Sequence, residues 1–102
     1  KELIDILYQP SQRKNSKAAF RGFINLFDDY LATDLFDKVN APIQLIWGEK
    51  DPWESLNEAK EWKKKFKNIK RLDIIKGAGH CPHDEDPETT NKLIYDFLQE
   101  TK

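Results

Sequence analysis

Hydrophobic residues recur along this chain with two different periods, and the switches between them mark its elements. Leu3, Ile4 and Leu7 share one face at helical spacing, which predicts a short amphipathic helix over residues 1–8. Pro10 biases Gln9 away from helix and, with the polar residues up to Ser16, predicts a loop. From Ser16 to about Leu31 the residues Phe20, Phe23, Ile24, Phe27, Tyr30 and Leu31 follow the i, i+3, i+4, i+7 pattern of a helix burying one stripe. Asn15 or Ser16 is placed to cap its start. Its aromatic face either packs in a core or, as a lid helix, lines an apolar pocket through Phe23 and Phe27. A further short helix is expected around Leu35 and Phe36.

The period then changes. Pro42 opens Ile43-Gln44-Leu45-Ile46-Trp47, a strand with Ile43, Leu45 and Trp47 on one face and Ile46 on the other, closed by Gly48. Apolar residues on both faces are expected of a strand covered on both sides. Ser55-Leu56-Asn57-Glu58 reads as a capping box that starts a helix with Ala59, Trp62 and Phe66 inward. Leu72 to Ile75 form a second strand. Strand, helix and strand over about thirty residues make a βαβ unit, so the strands should be parallel. Asp73 and Lys76 suit a sheet edge, where charge discourages stray pairing. Asp86 is a predicted N-cap, Pro87 the first helical residue, and Leu93, Ile94, Phe97 and Leu98 the buried stripe of a last helix.

Composition narrows this picture. Leu, Ile, Val and Phe make 26 of the 102 residues, above the level at which disorder becomes the better reading. Seventeen basic residues against eighteen acidic leave a net charge of −1, which provides no electrostatic case for nucleic acid or an anionic membrane. The lysines at 60, 63, 64, 65 and 67 read as a solvated helix face. No run approaches the roughly 18 to 20 apolar residues of a membrane span. A lone cysteine, Cys81, excludes an internal disulfide framework and fits a reducing compartment. The chain starts with lysine and has no methionine, which predicts a piece of something longer. Two parallel strands with about four helices predict the same, because such strands need neighbours and covering helices.

The chemistry gathers at the carboxyl ends of the two strands, where parallel sheets place their ligands. Asp51 follows the first strand on a loop opened by Gly48, and Pro52 restricts it to extended backbone. His80 follows the second, after Gly77-Ala78-Gly79, whose glycines allow a tight or left-handed turn. Such a pair has a definite use. The carboxylate holds the imidazole's Nδ1 proton while Nε2 takes one from a nucleophile or water. His83 beside His80 and Cys81 lacks the spacing of a zinc site, so no metal and no cofactor is expected. Cys81 reads as a small buried hydrophobe, Glu49 as solvated, and Trp53 as a possible pocket border.

Pro42-Ile43-Gln44-Leu45-Ile46-Trp47-Gly48-Glu49-Lys50-Asp51-Pro52, followed by Gly77-Ala78-Gly79-His80-Cys81-Pro82-His83-Asp84-Glu85-Asp86-Pro87, resembles the C-terminal part of an α/β-hydrolase. The branch is that of haloalkane dehalogenase-like, epoxide hydrolase-like and pheophytinase-like enzymes. The likeness extends through Tyr8-Gln9-Pro10 and the aromatic helix. It implies an α/β fold in which residues 1–40 end a helical cap and residues 41–102 form the C-terminal βαβα of the core, with the sheet's last two strands. It implies that Asp51 and His80 are the acid and base of a catalytic triad hydrolysing an ester, epoxide or carbon–halogen bond. A small apolar substrate, and a cytoplasmic or plastid-stromal location, go with it. The family's nucleophile sits on an elbow such as G-x-S-x-G ahead of the acid. None of Ser11, Ser16 and Ser55 has that setting. The chain is therefore expected to need the N-terminal part of the same fold and to be inactive alone. The alternative is a truncated, non-catalytic module with a binding or structural role.

Overall fold

A computed structural model describes residues 2–25 and 31–102. The expectations for Phe27 and Tyr30 lie outside the described residues. The chain divides into two compact units, Lys1–Tyr30 and Leu31–Lys102.

In the first unit, helix α1 spans Glu2–Tyr8 and helix α2 spans Ser16–Asn25. The predicted loop between them holds a 3-10 turn, Gln9–Gln12, with Pro10 in its first positions, where a missing amide costs nothing. Neither Asn15 nor Ser16 caps as expected. Asn15 adopts a left-handed φ of 71° and passes its carbonyl to the Ala19 amide at 3.0 Å. The Ser16 hydroxyl donates back to the Ser11 carbonyl at 2.6 Å. Leu3, Ile4, Leu7, Phe20 and Phe23 are all more than half exposed to solvent.

The second unit begins with helix α3, Ala32–Leu35, and a 3-10 turn, Phe36–Lys38. Leu31, expected to continue the aromatic helix, instead lies extended ahead of α3, where the Asp34 carboxylate accepts from its amide. Strand β1, Ile43–Gly48, is followed by helix α4, Leu56–Lys65, and strand β2, Ile69–Ile75. A single turn of helix, α5, covers Pro82–Glu85, and helix α6 covers Pro87–Glu100. The strands pair in parallel, as the βαβ pattern required, with Trp47 opposite Ile74 and Gly48 opposite Ile75. Strand β2 starts three residues earlier than its apolar run suggested, because Ile69 is buried and pairs with Ile43.

The core of this unit is aromatic. Phe36 meets Phe66 edge-on at 5.1 Å and Trp62 at 5.6 Å, and Trp62 meets Trp47 at 5.7 Å. Phe66 is fully buried, a contribution of roughly 1.5 to 3 kcal/mol. Asn68 ties the segment after α3 to this core by donating to the carbonyls of Phe36 and Val39. Asp73 does more than guard an edge. It accepts from Gln44 of β1 at 2.7 Å and pairs with Arg71, which reaches Glu100 of α6. The Ser55 hydroxyl caps α4 through the Asn57 amide, one residue earlier than a capping box requires. Asp86 caps α6 through Thr89, as predicted. Of the expected stripe on α6, Phe97 is buried, whereas Ile94 and Leu98 are 42% and 55% exposed.

Two glycines give opposite expectations. A Cβ on Gly48 would fall 1.8 Å from the Gly79 carbonyl oxygen, so Gly48→Ala must push the two loops apart. Chemical denaturation should show a loss of at least about 1 to 3 kcal/mol, the ordinary cost of overpacking. Gly22 lies inside α2 with nothing within 4 Å of its would-be Cβ. Gly22→Ala should therefore raise helix content in circular dichroism, by about 0.5 to 1 kcal/mol of helix propensity.

Candidate active site

The ends of β1 and β2 hold two loops against each other by backbone contacts. The Glu49 amide donates to the Ile75 carbonyl at 3.0 Å, and the Lys50 amide donates to the Ala78 carbonyl at 2.8 Å. Gly77 takes a φ of +79°, the left-handed turn anticipated from its sequence, whereas Gly79 does not, and its carbonyl is what Gly48 approaches closely. Glu49, expected to be merely solvated, accepts from the Gly77 amide at 3.0 Å and braces that turn.

Between these loops the His80 Nδ1 lies 2.9 Å from Asp51 Oδ2. The other carboxylate oxygen, Oδ1, accepts from the backbone amides of Trp53 at 2.9 Å and Glu54 at 3.0 Å. Both oxygens are thus engaged, and the Asp51 side chain is only 6% exposed against 42% for His80. Burial pushes the Asp51 carboxyl up. The Glu54 and Trp53 amides and the His80 imidazole together outweigh that and hold it below its ordinary value. Asp51 is therefore an anion that can only accept, so the hydrogen between the pair is carried by Nδ1. With the proton of a neutral imidazole on Nδ1, Nε2 is an acceptor, and it has no partner among the described residues.

Trp53 stands at 77% exposure with its ring 4.7 Å from the imidazole, in an edge-on arrangement. Trp47 supports the acid loop from below, its indole N–H donating to the Glu54 carbonyl at 3.0 Å. A cleft of about 170 Å³ opens at the pair, walled by Ile46, Trp47, Gly48, Glu54 and Pro82. That is smaller than the roughly 300 to 1,000 Å³ of complete ligand pockets. Of the four expected site residues that are described, Asp51, His80 and Trp53 come together. Phe23 belongs to the first unit, where it borders an apolar cleft with Pro10, Ala19 and Phe20.

Among the described residues, one group of side chains has the donor atoms for a metal ion. Cys81, His83 and Asp84 bring donor atoms within 4.8 Å of one another, closer than the spacing in sequence suggested. Cys81 is half-buried at the start of α5 rather than fully buried. His83 and Asp84 are both 67% exposed and 3.9 Å apart, so neither is held in place by burial. The sequence also gave no sign of Glu85. Its carboxylate accepts from the Gly79 amide at 2.8 Å and from the Cys81 amide at 3.2 Å.

With this geometry in view, comparison with known proteins is informative. The chain is 39% identical over 62 residues to Epoxide hydrolase 4 of Homo sapiens, covering 61% of the chain and 17% of that protein. It is 40% identical over 60 residues to the chloroplastic Pheophytinase of Arabidopsis thaliana, covering 59% of the chain and 12% of that protein. The chain belongs to the α/β-hydrolase fold. Monoacylglycerol lipase ABHD6 of Mus musculus is 32% identical over 79 residues, 78% of the chain and 23% of that protein. The chain thus spans between 12% and 23% of the length of these three relatives, as the C-terminal part of such a fold would. No family model matches the chain, and no solved structure gives a significant match.

The depressed Asp51 carboxyl fixes the sign of a pH effect. In the interval between its folded and unfolded titrations the unfolded chain binds more protons, so stability rises with pH there. The ionic contribution is complete above the ordinary carboxylate range, about pH 4, and is lost as pH falls through the lower folded value. Asp51→Asn keeps an acceptor for the amides but removes the charge. Unfolding followed by tryptophan fluorescence should therefore separate the two proteins most above about pH 5 and bring them together as pH falls below the ordinary carboxylate range. A difference independent of pH would contradict the charged pair.

Proposed function

We propose that this chain supplies the acid and base of a hydrolase's triad. Asp51 orients the His80 imidazole and stabilises it when protonated, and His80 Nε2 moves the proton. The observation that carries this reading is the 2.9 Å bond between His80 Nδ1 and Asp51 Oδ2, made by loops at the carboxyl ends of adjacent parallel strands. The relatives' names add the bond class. They include epoxide hydrolases, a pheophytinase and a monoacylglycerol lipase, so an ester or an epoxide is favoured, with a carbon–halogen bond as the remaining member of the class.

Two proton paths use the same pair. Where the nucleophile is a serine, Nε2 takes its proton as the hydroxyl attacks the ester carbonyl, then returns it to the leaving alcohol. Water completes the cycle by the same route. Where the nucleophile is an aspartate, an alkyl–enzyme ester forms and Nε2 deprotonates the water that hydrolyses it. In both, the imidazolium formed is stabilised by an Asp51 that is already ionised. The nucleophile and the oxyanion hole would come from the N-terminal part of the same fold, and the substrate would be small and apolar. An in-frame G-x-S-x-G or G-x-D elbow encoded upstream of Lys1 would support this. A stop codon just upstream with no homologous segment beyond it would end it.

In the intact enzyme, His80→Ala should abolish turnover, and Asp51→Asn should lower it by about 10⁴, the cost of losing the tautomer in serine triads. Near-normal steady-state rates in both variants would sink the assignment. The 102-residue chain by itself should not hydrolyse short p-nitrophenyl esters. Saturable turnover that persists through repurification would contradict the need for an outside nucleophile.

A further inference from the structure

The backbone around His80 is held on both sides by one carboxylate. Glu85 Oε2 accepts from the Gly79 amide and Oε1 from the Cys81 amide, at 2.8 and 3.2 Å. Between those two N–H groups lie the φ and ψ angles of Gly79 and His80 and nothing else. The carboxylate therefore closes a ring over the four dihedrals that aim the imidazole. Only the side-chain torsions remain, and Asp51 and Trp53 hold the ring itself. A Cβ on Gly79 would lie 3.1 Å from Glu85 Oε1, a tight approach that places the carboxylate directly against the backbone there. Helix α5 delivers Glu85 to this position, its amide bonding back to the Cys81 carbonyl at 3.0 Å.

Capping of α5 explains half of this. Cys81 is the residue at which the helix starts, and a carboxylate on its amide is ordinary capping chemistry. Gly79 lies two residues further upstream and is not one of the helix's own donors. The shorter of the two bonds therefore serves the His80 loop, not the helix. Hydrogen bonds to an ionised acceptor are about twice as strong as neutral ones.

We infer that Glu85 is a positioning residue for His80, fixing the loop backbone so that Nδ1 meets Asp51 and Nε2 stays free. The inference rests on the Asp51–His80 reading above. Its test uses the full 102-residue chain, labelled with ¹⁵N, and reads two quantities. One is amide hydrogen exchange at Gly79 and Cys81, and the other is the His80 tautomer from its ring nitrogen shifts. The wild-type spectrum tests the pair itself: a neutral His80 protonated on Nε2 would overturn the Asp51–His80 reading, whatever Glu85 does.

Given the Nδ1–H form in the wild type, Glu85→Ala should speed exchange at both amides about tenfold or more, the scale of a bond to a charged group. It should also move His80 towards a mixture of tautomers, while amides in α6 such as Phe97 stay protected. Loss of amide protection with the tautomer unchanged would overturn the inference and leave Glu85 as a helix cap. Should Glu85→Ala also expose the α6 amides, Glu85→Gln decides. Each amide uses its own carboxylate oxygen, so in the same pose a glutamine keeps an acceptor for one amide and turns a donor group towards the other. Expected is faster exchange at one of them with a partial tautomer shift. Wild-type behaviour at both amides and at the ring would overturn the inference.

Discussion

The site depends on how closely two backbones approach at the ends of the strands. Gly48 ends β1 and touches the Gly79 carbonyl at a separation no side chain fits. The Glu49 and Lys50 amides complete the contact by bonding to Ile75 and Ala78. Asp is a short side chain, with its carboxylate two bonds from the backbone. It can meet an imidazole on the neighbouring loop only if the loops are already in contact. The parallel register, with Gly48 opposite Ile75, brings them to that distance, and the missing Cβ allows the last step.

Rigidity then reaches the pair from two directions. On the acid side, the aromatic cluster of Phe36, Phe66, Trp62 and Trp47 fixes the Trp47 indole, which holds the Glu54 carbonyl. The Glu54 amide in turn holds Asp51 Oδ1, together with Trp53. The direction of the carboxylate is thus set by backbone donors and would be kept whether or not the imidazole were present. On the base side, two carboxylates, Glu49 and Glu85, brace the amides of Gly77, Gly79 and Cys81. In the proposed relay such fixed dipoles would be an advantage, because they need not reorganise as charge develops on the ring.

What was legible in the sequence was what has a period or a punctuation mark. Alternating Ile43, Leu45 and Trp47 gave a strand, Asp86-Pro87 gave a helix start, and the order of Asp51 and His80 behind two strands gave the pair. The braces made by Glu49 and Glu85 were not legible, because a side chain that accepts from a loop amide leaves no repeat behind. Glu85 lies between Asp84 and Asp86, and only Asp86, ahead of Pro87, carries a positional signal. The start of β2 was missed for a related reason. Lys70 and Arg71 interrupt its apolar run, so Ile69 looked isolated, although it is one of the most buried residues of the described chain.

The same contrast bears on how the pair relates to the rest of an α/β-hydrolase fold. Ile74, Ile94 and Leu98 carry the pattern of buried positions, yet stay substantially exposed among the described residues. Both strands are only partly covered, as a two-stranded parallel sheet must be. Every bond that aims Asp51 and His80, however, comes from residues between Ile43 and Asp86. The exposed faces therefore govern the stability of the sheet, and the loop contacts govern the geometry of the pair. The two are separable in principle. Covering the sheet would add apolar burial of roughly 25 cal/mol per Å² without having to re-aim the carboxylate or the imidazole. The Asp51–His80 geometry is thus specified locally, and on the proposed reading a nucleophile would need only to be brought to an Nε2 whose direction is already set.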